Sequence, residues 1–461
     1  MSSNITEEKK SKYFGDAEFY GKSARLAIPS MLQQLLSSAM GIVDTMFVSW
    51  IGKVSAVGVG SQLEALAIGV CFGVMEGVGI FSAQFFGAKD FHNMRKSFGL
   101  ALMLCFMITG IWFLSVSFFG PQIMHFYVKD PQVIADGLIY LKIVRFSYVP
   151  MAMALVFNHM FRCIHRTAIP MWIGIGSMSC NCFFNYVLIF GKLGFPEMGV
   201  AGAAMGTLIA QLVSLTSYII VSIYLKVPFI GPLKEIFTMN YHFVKPIMGR
   251  TIPTIINETF FSFGSSMFIK AYALLGTQVT DAYYVGNTIT RMFFSVCNGL
   301  GVATSMMLGA ELGAGRRDDA IRMSRYFLTM SLILALGFTG VIVACARPLV
   351  NLFGMSDPEV YKMAIGVVRV SALRIALRLV SVVVFSSLRS GGDARYLMFL
   401  DSGMMWMVGI PLAYLCVTVF GLTNFVVVFL IVQTEQLVRA LLGIQRLLSN
   451  KWAINLTKLV N

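Results

Sequence analysis

Charge is scarce in this 461-residue chain: Asp, Glu, Lys and Arg together make up 13%, about half of the roughly 25% usual in soluble globular domains. That scarcity excludes a molecule wetted on all sides. Histidine is rarer still. His92, His125, His159, His165 and His242 lie in or beside loops, with no pair at ligand spacing. Enzymatic group transfer or hydrolysis needs a nucleophile with a base, or convergent metal ligands, so no enzyme is expected. The eight cysteines stand mostly in apolar runs, where a thiol behaves as a small hydrophobe, and Cys180-x-Cys182 is too short a pattern for a metal site. Residues 1–12 lack the basic, apolar, small-residue order of a cleaved signal. The first apolar span is therefore expected to direct insertion itself.

What is abundant is apolar surface, at 57% of the residues. A bilayer core about 30 Å thick needs roughly 20 apolar residues per helix. The runs predict twelve transmembrane helices, at 27–50, 57–86, 95–119, 132–160, 168–190, 198–225, 248–275, 281–312, 321–346, 359–388, 396–420 and 424–446. Lys and Arg crowd alternate loops, Arg162, Arg389 and Arg439 among them, while the opposite side holds only Lys53, Lys129, Lys192, Arg347 and Lys362. By the positive-inside rule both termini are expected in the cytoplasm and the protein in the cell membrane. The net charge of +14 is thus a topology signal, and no nucleic-acid partner is expected.

The spans also repeat. Asp130-Pro131 and Asp357-Pro358 lie 227 residues apart, as do Arg162 and Arg389. Pro29 meets Pro253 at an offset of 224, and Gly77 and Gly87 meet Gly299 and Gly309 at 222. A unit of six spans duplicated in tandem enters the membrane the same way up in both copies. The expected layout is a cytoplasmic segment 1–26, a six-helix bundle 27–225, a cytoplasmic linker 226–247, a second bundle 248–446 and a cytoplasmic tail 447–461, with the substrate site between the halves.

Pro29 followed by Gly41-Ile42-Val43-Asp44-Thr45-Met46-Phe47-Val48 resembles the first-span signature of the MATE (multidrug and toxic compound extrusion) transporters. Phe85-Phe86-Gly87-Ala88, Asn181 to Asn185 before Phe190-Gly191, and Leu388-Arg389-Ser390-Gly391-Gly392-Asp393 follow in the order typical of that family. The resemblance, to bacterial NorM- and DinF-like members, implies two bundles forming a V. It also implies a secondary antiporter that exports amphipathic, cationic organic compounds by alternating access, in exchange for inward Na+ or H+. No cofactor beyond the coupling ion and no obligatory protein partner is implied, so the chain is expected to work as a monomer.

Ionisable groups at bilayer depth are costly, about 2.5–3.5 kcal/mol each at the least, and face a cavity or a partner. Asp44, deep in span one, is the first candidate for the coupling ion, Na+ or H+, and matches the family's span-one cation site. Asn181 and Asn185, four apart on span five, share a helix face and are expected to help coordinate the cation or hold Asp44. Where the archaeal-type MATE site carries an Asp, this chain has Asn185. Glu258, Met40, Phe261 and Arg378 are expected to line the substrate cavity. Arg378, with Arg369 and Arg374, makes span ten basic, which allows either an anionic part of a substrate, pairing with Glu258 and Glu76, or snorkelling. Glu76 and Glu311 are expected to pair with Arg145 or Arg291. The alternative to drug export is an exporter or flippase of an anionic or lipid-linked substrate.

Overall fold

The computed structural model describes residues 13–128, 130–351 and 358–460, without the side chains of Val54 and of ten residues from Thr277 to Met292. Lys129, Asp357 and the expected side chain of Arg291 fall outside the described residues. The chain is all helical. The first half contains α1 (Ala17–Trp50), α2 (Val54–Gly87), α3 (Phe91–Tyr127), α4 (Pro131–Cys163), α5 (Ala168–Ile189) and α6 (Val200–Tyr224). The second contains α7 (Tyr241–Ala273), α8 (Thr277–Gly313), α9 (Arg317–Asn351), α10 (Pro358–Ser390), α11 (Ala394–Val419) and α12 (Phe425–Leu448).

Side-chain caps start many of these helices. Asp16, Asp90, Asp130, Asn240 and Asn424 each accept a backbone N–H of the following turn, which satisfies donors that a helix start leaves open. Asp16 places the start of α1 at Ala17, ten residues before the expected span. The extra turns bury Phe19 and Leu26 against Phe327 and Leu312 of the second half.

Among the described residues, ten helices are long and apolar enough to cross a bilayer. The two that are not are α7, diluted by Thr, Asn and Ser around Glu258, and α10, which carries Arg369, Arg374 and Arg378. Phe118, Phe126, Trp172 and Leu336 are more than 60% exposed on the outer faces. In water such apolar exposure would drive aggregation, whereas lipid tails match it.

Each half has its own core. Phe81, Phe98, Phe157 and Phe161 fill the first, and Phe327, Leu379, Val383 and Leu388 the second. The halves meet through α1 against α8, α2 against α7, and α2 against α8. Gly77 lies against Thr251, and its repeat mate Gly299 lies against Ala27 and Met31. A two-fold relation between tandem copies requires such equivalent contacts. Closer to the end that carries both termini, Gly87 fits against the Ala310 carbonyl, and Gly313 against that of Gln84. A side chain at either glycine would push the backbones apart.

The segment after α12 is part of this seam. Trp452 and Leu456 are fully buried. Gln84 of α2 donates to the carbonyls of Ser390 at 2.8 Å and Ile454 at 3.1 Å, and its Oε1 accepts from the Leu456 N–H at 2.6 Å. One glutamine thus ties the first half to α10 and to the tail.

Candidate functional site

The first half contains a partly open cavity of about 290 Å³ lined by Met40, Asp44, Glu64, Tyr140 and Asn185. It adjoins a second of about 390 Å³ that shares Met40, Glu64 and Gln211. The walls come from α1, α2, α4, α5 and α6 alone. Asp44 lines the cavity beside Met40 and Gly41 of the same helix. Gly60 leaves room for the Tyr140 ring.

Asn185 Nδ2 donates to Asp44 Oδ1 at 2.8 Å and to Asn181 Oδ1 at 3.0 Å. Both asparagines are buried. Gly206 of α6 packs against the Asn185 carbonyl oxygen and holds the amide in that orientation. Asn185 Oδ1 and Asn181 Nδ2 have no hydrogen-bond partner, so the cluster retains one acceptor and one donor. Among the described residues, neither Asp44 nor Glu64 has a basic partner within ion-pair distance. Glu64 went unnoticed in the sequence. Its signal was nonetheless the one that singled out Asp44, a lone acid in an apolar run, here Leu63-Glu64-Ala65-Leu66-Ala67-Ile68.

The second half has a cavity of about 250 Å³ lined by Phe261, Phe294, Arg374, Arg378, Phe429 and Glu435, among others. Behind it, Arg439 pairs with Asp401 and lies 2.8 Å from Glu435 Oε1. Arg439 and Glu435 are each 1% exposed. Arg439 therefore belongs to a buried ion triad and not to a basic loop, a correction to its sequence-based placement. The spacing Glu435 to Arg439, four residues on one helix face, was the available clue. A π turn at Phe399–Gly403 sets Asp401 toward this triad, and Asn257 satisfies the turn by donating to Asp401 at 3.1 Å and accepting from the Ser402 N–H at 3.2 Å.

Glu258 is half-buried on α7 but does not line this cavity, and it has no hydrogen-bond or ion-pair partner among the described residues. Glu76 pairs with Arg389 and not with Arg145, because the close approach of α2 to the second half brings the end of α10 within reach. Arg145 instead covers the rings of Phe113 and Phe146. Glu311 pairs with Arg316 at 2.5 Å. Arg369 is exposed on the outer face. The cavities at Asp44, Glu64 and Arg374 are each lined by one bundle, while another of about 350 Å³ is lined by both halves, through Lys22, Phe86 and His165 on one side and Met307 and Glu311 on the other.

The family model MatE matches residues 29–187 and 252–415. An uncharacterized transporter YisQ of Bacillus subtilis is 24% identical over 93% of this chain and 94% of its own length. The probable multidrug resistance protein NorM of Thermotoga maritima is 24% identical over 86% of each chain. The multidrug resistance protein MdtK of Yersinia enterocolitica is 25% identical over 87% of this chain and 88% of its own. Among solved structures, the Vibrio cholerae MATE transporter VcmN in the bent form aligns with a TM-score of 0.85 at 16% identity, covering 95% of this chain and 99% of that one. A MOP superfamily transporter from Pyrococcus furiosus, described as having a binding pocket of reverse polarity, aligns with a TM-score of 0.81 at 18% identity, covering 95% and 97%. With the family match falling on both six-helix halves in register with the repeat, the chain belongs to the MatE family of multidrug and toxic compound extrusion transporters.

Proposed function

We propose that the protein is a secondary active antiporter that exports amphipathic, cationic organic compounds in exchange for inward Na+ or H+. The observation that carries this reading is the pair of carboxylates, Asp44 and Glu64, sharing one cavity with no basic partner among the described residues. Two like charges in a poorly solvated cavity repel each other, and a bound Na+, a proton or an organic cation each relieves the repulsion. Occupants that relieve the same repulsion exclude one another. If the ion prefers one arrangement of the bundles and the substrate the other, their exchange is coupled.

Asn185 and Asn181 supply amide oxygens for a Na+ at Asp44, and Met40 supplies a flexible apolar wall for varied substrates. The bundles are packed at the terminus-bearing end through Gly87 and Gly313. With both termini cytoplasmic in a cell membrane, this packing closes the inner side. The working unit in this reading is a monomer, with no cofactor beyond the coupling ion. A second reading, export of an anionic or lipid-linked substrate, is favoured by Arg374 and Arg378 in the other cavity.

The test is ethidium transport in proteoliposomes driven by an imposed Na+ or proton gradient. Asp44→Asn and Glu64→Gln are each expected to lower the ion-driven rate at least about tenfold, the equivalent of roughly 1.4 kcal/mol. Undiminished, still ion-driven transport in both variants overturns the assignment.

A further inference from the structure

We infer that the cavity of the second bundle is a binding site for an organic monoanion, an aromatic carboxylate, held by Arg374 and Arg378. The inference deepens the transport reading by naming a substrate class for the half that the carboxylate pair does not serve.

Arg374 and Arg378 are four residues apart on α10 and face one cavity. The Arg374 guanidinium lies 5.5 Å from the Phe294 ring centroid and 6.0 Å from that of Phe429. Arg378 lies 5.8 Å from Phe261 and 6.0 Å from Phe294. Each guanidinium thus lies over two aromatic rings, which attract its charge. The N–H edges are left open, since neither guanidinium has a hydrogen-bond or ion-pair partner among the described residues. A half-buried arginine retained only for stability would spend those donors on protein acceptors.

The charged residues of the cavity lining are Arg374, Arg378 and Glu435, so the lining carries one net positive charge. Outside it, Arg439 binds both Glu435 and Asp401, and Glu258 acts on Arg378 from α7 without lining the cavity. A single carboxylate neutralises the lining, and its two oxygens suit the guanidinium fork. Phe261, Phe268, Tyr272, Phe294 and Phe429 line much of the wall, which favours an aromatic body. Ser265, Asn287, Gln433 and Gln436 stand among them and favour a polar edge on that body. An apolar cavity of roughly 150 Å³ holds a benzene, so about 250 Å³ admits a two-ring acid.

The repeat shows that this chemistry is not a property of the fold. At the 227 offset, Arg374 and Arg378 correspond to Ser147 and Met151, and Met151 lines the first-half cavity. In the other direction, Asp44 corresponds to Phe268 at the 224 offset, and Glu64 to Gly286 at 222. Equivalent positions thus make one cavity acidic and the other basic.

The experiment is calorimetric titration of the purified full chain in detergent with 2-naphthoate and with its neutral isostere 2-naphthamide. Naphthoate is expected to bind saturably and at least about tenfold more tightly than the amide. Arg374→Gln and Arg378→Gln are each expected to weaken it about tenfold while leaving the unfolding temperature and ethidium binding in place. Arg374→Lys and Arg378→Lys keep the charge but lose the fork, and are expected to fall between parent and Gln variants. Equal binding of acid and amide by the parent overturns the site, as does parent-like naphthoate binding in both Gln variants, or in both Lys variants if the Gln variants do not fold. Absence of ion-driven ethidium transport by the parent with naphthoate binding intact tells against the antiport reading alone, and ion-driven transport by a parent that does not bind naphthoate tells against this site alone.

Discussion

Glu76 of α2 and Arg389 at the end of α10 form an ion pair across the boundary between the two bundles. Their side chains are 30% and 16% exposed, so the pair is sheltered without being fully dry. Beside it, Gln84 bonds the Ser390 carbonyl and the tail. Removing one partner of a buried pair leaves the other charge stranded, at a cost of about 3–5 kcal/mol. Partial exposure lowers that cost here, because water screens the stranded charge. Glu76→Gln is therefore expected to lower the thermal unfolding temperature in detergent. The double variant Glu76→Gln with Arg389→Met is expected to recover part of the loss, and a double-mutant cycle with no coupling would show that the pair does not hold the seam.

Gly206 controls Asp44 from a distance. A Cβ at this position would collide with the Asn185 side-chain oxygen, and Asn185 is the donor that reaches Asp44. Gly206→Ala should turn the amide away without touching either carboxylate. A hydrogen bond to a charged group is worth about 1.5–3 kcal/mol, or roughly tenfold or more in ion affinity. The apparent Na+ or proton affinity of transport is expected to weaken by that factor while the maximal rate at saturating ion changes less. A falling maximal rate with unchanged ion affinity would instead place Gly206 in the packing of α6 alone.

The twelve spans were legible because lipid imposes one rule on every outer face, and apolar runs of about twenty residues record it directly. The repeat was legible for a related reason: Gly77 and its mate Gly299 stand at equivalent close approaches of the two bundles, against Thr251 and Ala27. Asp44 and Asn185 could be placed together since each was a polar residue isolated in an apolar span. Glu258 and Glu76 were harder. Which basic residue meets an acid depends on how closely two helices approach, and Gly87 against Ala310 fixes that distance without any charge pattern to announce it. Arg439 was misplaced because a basic residue near a span end looks the same whether it faces water or a buried Asp401 on another helix.

The short helix Leu233–Phe237 between the bundles is held to the start of α3 by Glu235. Its carboxylate accepts from His92, and from Arg95 at 2.8 Å. These contacts, the His92 hydrogen bond first and then that of Arg95, hold the Glu235 carboxyl below its ordinary value near 4.5. A lowered folded-state pKa means that the tether is complete above the ordinary carboxylate value and is lost as pH falls through the lower folded value. His92 and Arg95 are the basic groups facing it. A fluorophore attached at Phe237→Cys is expected to keep high anisotropy from neutral pH down to about pH 4.5 and to lose it below. Glu235→Gln should show the low value already at neutral pH, and equal anisotropy of parent and variant there would mean that the linker is held by something else.

The buried triad allows a sharper distinction between stability and chemistry. Arg439 bonds Asp401 and Glu435 with almost no exposure, so Arg439→Met leaves two carboxylates facing each other inside the second bundle. That change is expected to cost more than breaking a single buried pair, about 3–5 kcal/mol, and to abolish folded protein in detergent. Replacing all three, as Asp401→Asn, Glu435→Gln and Arg439→Met, removes every stranded charge and is expected to restore most of the unfolding temperature. It also removes the one net negative charge that the triad sets beside Arg374 and Arg378. If the open arginines accept an anion, the triple variant should therefore bind 2-naphthoate more tightly than the parent even though it is less stable. Weaker binding in a folded triple variant would mean that the triad positions the arginines and does not merely offset their charge.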